Sequence, residues 1–283
     1  MSKRPPLASE RPSPADQALE NAILALQMQR PDEAERLASG VLKSNRGNVV
    51  AAQILGRALL MQNRPDEAID PLKKVARRSD DPQIETLLAM ALAAAGQRAD
   101  AIEQLQRTVA RRPPFPPAFA ELGRELGNAG RIGEAIAVLE GGLVLVPDFP
   151  DLQMALGHLH IKRNDRVAAR ALFMQVLEMA PQRYDAIGAL AQVMALDGDY
   201  ANAAGLYRQA LAIQPGDALT RINLAKCLLE LNQRGAGEAA LRAVSRDAAP
   251  LTGRAITALA ASPHGRFFLR PSDAAKFLRG DKK

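Results

Sequence analysis

A spacing of 34 residues constrains this chain more than any other feature. Ala34, Ala68, Ala101, Ala135, Ala169 and Ala203 follow one another at intervals of 34, 33, 34, 34 and 34, and one further step of 34 lands on Gly237. Twelve residues before each stands a second small residue: Ala22, Gly56, Ala89, Gly123, Gly157, Ala191 and Ala225. Leu precedes six of these seven, with Asn21 in that place in the first unit. Self-similarity at such a period marks a stack of short units, none of which can bury its apolar face alone. Two small residues at fixed places in each unit let two helix backbones approach closely.

Between the two small residues lies a turn signal. Gly96, Gly130 and Gly198 occupy it in three units, and Asn63, Asn164 and Asn232 in three more. Both residue types tolerate the left-handed backbone that closes a helix. The next helix opens with Pro31 or Pro65, followed by the acidic pairs Asp32–Glu33 and Asp66–Glu67, which suit a helix N-terminus. Pro113, Pro147, Pro181 and Pro215 punctuate the unit ends. Each unit therefore reads as helix, tight turn, helix and linker.

Composition agrees with an all-α reading. Apolar residues make up 47%, yet aromatics are only 4% and Trp is absent. A core filled with Ala and Leu favours closely packed helices, and no Val/Ile/Thr-rich runs suggest strands. The single cysteine excludes an internal disulfide. The opening MSKRPPLASERPSP has no apolar stretch and does not read as a signal peptide, and the longest apolar run, from Leu87, is too short to span a bilayer. The expectation is a cytoplasmic protein. The net charge of +6 sits at the ends: +2 in residues 1–14 and +5 in 251–283, leaving −1 over 15–250. That distribution makes nucleic acid an unfavoured partner.

The period, the paired small residues, the Leu and the closing Pro together resemble the tetratricopeptide repeat family over about residues 15–250. The resemblance implies a right-handed α-solenoid of about seven helix–turn–helix units, starting near 15, 49, 82, 116, 150, 184 and 218. Residues 1–14 read as a disordered basic segment, 251–262 as a capping helix, and 263–283 as a basic, Phe-rich tail. The first and last units are irregular, which suits ends of a stack. Within the first helix of each unit, positions 4, 7, 8 and 11 form the inward stripe. In the resembled family the stripe at 2, 5, 9, 12 and 13 lines a groove for a partner's peptide. Position 9 reads Ile23, Arg57, Met90, Arg124, His158, Gln192 and Lys226; position 5 includes Gln53 and Met154. These residues point to a groove for an extended peptide or helix with acidic groups, in which Arg57 and Arg124 would take carboxylates by paired hydrogen bonds. The candidate groove residues are Gln53, Arg57, Arg124, Met154, His158, Gln192 and Lys226. No unit pairs Lys at position 5 with Asn at position 9, so capture of a terminal carboxylate, known in the family, is not expected.

No catalytic constellation is found, and neither a cofactor nor a metal is expected. His158 and His160 are two apart on a helix and point to different sides. Cys227 reads as a buried, inert thiol. The glycines of GRELGNAGRIG are explained by packing and turns rather than by a phosphate loop. In the tail, Phe267, Phe268 and Phe277 are expected to seal the last repeat, to touch an acidic partner or membrane surface, or to bend back and block the groove, and Ser272 to cap a short final helix. The leading functional reading is a non-catalytic protein-interaction scaffold. The alternatives are an RNA-binding helical repeat, or a regulatory subunit of an enzyme or of an envelope or secretion assembly.

Overall fold

The computed structural model describes residues 13–280; of the segment 1–14 expected to be disordered, 1–12 lie outside the described residues, while Ser13 caps and Pro14 opens the first helix. Among them every regular element is helical: sixteen α-helices and one short 3-10 turn, Ala249–Leu251. The first helices of the repeats are α1 (Pro14–Gln27), α3 (Val49–Met61), α5 (Pro82–Ala94), α7 (Pro116–Asn128), α9 (Pro150–Lys162), α11 (Tyr184–Leu196) and α13 (Ala218–Glu230). We call these the A helices. Their B partners are α2 (Pro31–Ser44), α4 (Pro65–Ala76), α6 (Arg98–Val109), α8 (Ile132–Leu145), α10 (Arg166–Met179), α12 (Tyr200–Ile213) and α14 (Arg234–Asp247). Two further helices follow, α15 (Thr252–Ala261) and α16 (Pro271–Arg279).

The turn residue of each repeat takes the left-handed conformation that its sequence permits. Asn63, Asn164 and Asn232 have φ of 58°, 61° and 59°, and Gly96, Gly130 and Gly198 have φ of 83°, 78° and 84°. In the first repeat Gln29 takes that role at φ 57°, a position the turn signal does not mark. Several A helices start on a side chain that accepts from their first free amides: Ser13, Asn48, Asp81 and Asp217. α2 and α4 start instead on a proline, whose missing N–H would have been unpaired anyway.

The chain divides into two compact units, residues up to Leu152 and residues from Gln153 on. In the first, each A helix packs on its own B helix and on the next A helix: α1 on α3, α3 on α5, α5 on α7. The small residues make this possible. A Cβ on Gly56 would meet both methyls of Leu72 at 3.0 Å, and one on Gly123 would meet Leu139 at 2.7 Å. The second unit repeats the device, with Gly157 2.5 Å from the ring of Phe173 by the same measure. Leu72, Leu139 and Phe173 are fully buried. The partner always lies sixteen residues on, so the second stripe of large residues shares the period of the first.

The C-terminal end of the second unit is a folded cap. α15 begins at Thr252, 34 residues after α13, and packs on α13 and α14; α16 packs on α14 and α15. Leu259 and Leu278 join a buried cluster with Leu229, Leu241 and Val244. Phe268 and Phe277 pack against that cluster with ring centroids 5.4 Å apart, but Phe267 is 81% exposed. The three phenylalanines therefore do not act together: two seal the last repeat and one projects from it. Ser272 does not cap α16. Arg270 is the N-cap residue and Pro271 opens the helix, which places Ser272 inside its first turn.

Candidate functional site

The A helices expose position 9 in every repeat but the third, where Met90 is half-buried, and bury much of position 5. Arg57, Arg124, His158, Gln192 and Lys226 are exposed, as is Ile23. Leu19, Thr86, Met154 and Ile222, all at position 5, are buried. Position 5 adjoins the inward position 4 and is drawn into the helix contacts. Met154 accordingly lies in the core cluster with Phe173, Val176 and Leu190 and is not a groove residue. Gln53 is half-buried and donates to Asp81 at 2.9 Å, which ties the first helix of one repeat to the N-cap of the next.

In the first unit α1, α3, α5 and the start of α7 enclose a recess of about 570 Å³. Leu26, Leu60, Met61, Leu87, Met90 and Phe115 give it an apolar lining. Arg57, Gln27, Gln83 and Glu121 supply its polar edge. Most of these residues stand at positions 2, 9, 12 and 13 of their repeats. Of this lining only Arg57 was among the candidates; Leu60, Met61 and Phe115 are the clearest of those missed. Reading positions 12 and 13 residue by residue would have found the first two, whereas Phe115 precedes its helix and belongs to no stripe.

The two arginines expected to meet a partner differ in what they already hold. Arg124 binds Glu121 one turn back and also Glu125, at 2.9 Å. Glu125 is buried and takes a further bond from Arg98 at 3.1 Å. Arg124 is thus committed to the repeat, because a buried carboxylate must be paired. Arg57 makes no ion pair among the described residues. Its helical neighbours at three and four residues are Gln53, Ile54, Leu60 and Met61, none of them acidic. Of the two, only Arg57 brings an uncommitted positive charge to the apolar recess.

In the second unit Lys226 borders two recesses on the A face. One, of about 650 Å³, is shared with Ile222, Asn223 and Arg254; the other, of about 370 Å³, with Gln192 and Glu230. His158 stands apart from these. Its ring tilts against Phe173 at 5.3 Å. Though the residue is exposed, the flank of its ring against Phe173 loses water, which pushes its pKa below the ordinary histidine value, with Asp185 opposing and Lys162 reinforcing that shift. His160 turns inward and meets Asp165 at 3.2 Å. No group of acids, histidines and cysteine among the described residues could hold a metal ion. Cys227 is buried, and burial pushes its thiol up to about 11.

A larger recess, about 750 Å³, lies on the side of α4 and α6 and is lined by charges. Several of those charges serve the fold, whereas Lys73, Arg77 and Asp100 make no ion pair among the described residues. Arg111 holds the buried Glu85 at 2.5 Å and Asp80 at 3.2 Å, and Arg107 holds Glu103 at 2.6 Å. The apolar recess beside Arg57 is the better candidate, because a mostly apolar lining with a few convergent polar groups is the usual make-up of a binding site.

Comparison with known proteins places this arrangement. Family models described as tetratricopeptide repeat match residues 25–91, 128–193 and 194–261, and a second one matches 86–148. A sequence comparison with curated proteins finds no match. Among solved structures, the human IFIT1 dimer with PPP-AAAA is similar at 15% identity and a TM-score of 0.67, over 87% of this chain and 63% of that one. A tetratricopeptide repeat protein from Parabacteroides merdae ATCC 43184 is similar at 12% identity and a TM-score of 0.65, over 86% and 98%. The APC/C hetero-tetramer Cut9-Hcn1 is similar at 23% identity and a TM-score of 0.62, over 76% of this chain but only 42% of that one. Identities this low establish a shared fold and nothing finer. The family models reach from the last turn of α1 to the end of α15, and the repeat, its left-handed turns and its interlocked small residues account for that match: the chain belongs to the tetratricopeptide repeat family.

Proposed function

We propose that the chain is a non-catalytic interaction scaffold, and that the recess beside Arg57 receives an apolar partner segment carrying an acidic side chain. One observation carries this reading. An exposed arginine without an ion pair stands at the edge of a recess lined by Leu, Met and Phe. Methionines adapt their shape to an incoming apolar surface, and Met61 and Met90 are both present. A charge-assisted bond from Arg57 to a carboxylate would add about 1.5–3 kcal/mol. The test is affinity capture from native lysate with wild type, Arg57→Glu and Arg124→Glu as parallel baits. A protein partner lost with Arg57→Glu supports the reading. Retention of every partner by Arg57→Glu moves binding away from this recess. Nucleic acid remains the less favoured ligand, because the body of the chain carries a net charge of −1 over 15–250.

A further inference from the structure

The connection between α15 and α16 presents apolar side chains to solvent while being fastened on its inner side. Over Arg266–Leu269 side chains alternate, as in any extended stretch. Phe268 turns inward onto Phe277 and the buried cluster. Its neighbours Phe267 and Leu269 turn outward, 81% and 91% exposed. Arg266 anchors the stretch: it bonds Glu238 at 2.6 Å and lies over the Phe277 ring at 4.7 Å. The outward pair is therefore held in place rather than left over from an unpacked end.

The charge around the pair is mostly positive. Arg270 follows Leu269 directly, and the exposed side of α16 carries Lys276 and Arg279 against a single acid, Asp273. Arg270 and Lys276 make no ion pair among the described residues. Residues 251–283 hold a net +5 while residues 15–250 sum to −1, so the net positive charge beyond the N-terminal segment lies at this end.

Two protruding apolar side chains beside free cations suit a fluid interface. A protein partner needs about 800 Å² of matched surface on each side. A bilayer needs no matched shape: apolar side chains enter the boundary between headgroups and acyl chains, and cations meet anionic headgroups. We propose that the α15–α16 connection is a membrane-surface anchor. Phe267 and Leu269 insert into an anionic phospholipid bilayer, and Arg270 and Lys276 lie against its phosphates. No described helix is long and apolar enough to cross a membrane, so the contact is peripheral. This anchor is independent of the recess beside Arg57.

The test is co-sedimentation of the full chain with vesicles of phosphatidylcholine alone and of phosphatidylcholine mixed with phosphatidylglycerol. Wild type is expected to bind the anionic vesicles and to lose binding in high salt. Phe267→Ser with Leu269→Ser should weaken it at least about tenfold, and Arg270→Glu with Lys276→Glu by a similar factor. Both pairs are exposed, so circular dichroism should be unchanged. The chain has no Trp, so Phe267→Trp provides a single reporter at the tip. Its emission should shift to the blue on anionic vesicles. Failure to sediment with either vesicle overturns the proposal and assigns the tip to a protein partner. Sedimentation that survives the double Ser variant, or a Trp that stays water-exposed on bound vesicles, overturns it as well, leaving only charge attraction.

Discussion

Two glycine-to-alanine substitutions should shift stability in opposite directions. Gly157 and Gly188 both lie inside A helices, α9 and α11. On helix propensity alone, Ala in place of either would gain about 0.5–1 kcal/mol. At Gly188 nothing lies within 4 Å of the position a Cβ would take, so that gain is retained. At Gly157 the methyl would sit 2.5 Å from Cε1 and 2.7 Å from Cζ of Phe173. That ring is fully buried among Met154, Val176 and Ala189 and has no room to swing aside. Overpacking of this kind costs about 1–3 kcal/mol. Setting about 2 kcal/mol of crowding against about 1 kcal/mol of propensity leaves Gly157→Ala about 1 kcal/mol less stable than wild type. Gly188→Ala should be about as much more stable, a spread of about 2 kcal/mol between variants with the same change in atoms. Urea unfolding followed by circular dichroism measures both. Repeat arrays can depart from two-state unfolding, so the comparison rests on the direction of the midpoint shift. A double variant, Gly157→Ala with Phe173→Leu, should recover part of the loss. It restores the combination found as Ala89 with Leu105 and Ala225 with Leu241. If Gly157→Ala raised the midpoint as Gly188→Ala does, the account of the small residues as contact points would be refuted.

Three further outcomes follow from the C-terminal unit. Phe277→Ala removes the ring that lies between Arg242 at 4.4 Å and Arg266 at 4.7 Å. It should loosen α16 by about 2 kcal/mol, seen as roughly thirtyfold faster amide exchange in that helix with the earlier repeats unchanged. Burial raises the pKa of Glu238, but hydrogen bonds from Arg266 and Arg234 outweigh that and hold it below the ordinary value of 4.5. A depressed folded pKa gives stability that is complete above the unfolded pKa and lost as pH falls through the folded one. Wild type should therefore lose more stability than Glu238→Gln on acidification below about pH 4.5, measured as melting temperature against pH. Cys227, with its thiol pushed up to about 11, should react with an aromatic disulfide reagent at pH 8 about a hundredfold more slowly in the native chain than in urea.

The repeat was legible because each of its signals has a local cause. Gly or Asn marks a left-handed turn, Pro marks a first turn, and small residues mark a close approach. Any one of these is weak, but a shared period makes them reinforce each other. Where the cause was non-local, the sequence was silent. Gln29 adopts a left-handed turn that its side chain does not favour, because the helices on either side dictate the geometry. α15 keeps the 34-residue step but has Ala258–Leu259 where Leu and a small residue stand in α13, so the signature vanished while the helix remained. Arg124 could have been read more sharply. Glu121 is one turn away and Glu125 adjacent, and an acid three residues from an arginine on a helix is a ready partner. The absence of such an acid around Arg57 was equally visible.

The division between packing and recognition follows from the same period. Position 8 of the A helix must make room for a side chain of its own B helix, so it is Gly or Ala in all seven repeats. Position 9 lies one residue further on and faces outward, and it reads Ile, Arg, Met, Arg, His, Gln and Lys. A backbone that repeats while one exposed position varies is a frame on which different side chains are displayed at fixed intervals. A stack needs no such variation for its own stability, since the buried stripes alone hold the helices together. On the proposed scaffold role, recognition resides in the positions that break the repeat. Among these Arg57 combines exposure, an apolar recess and a charge that no described residue of the chain neutralises.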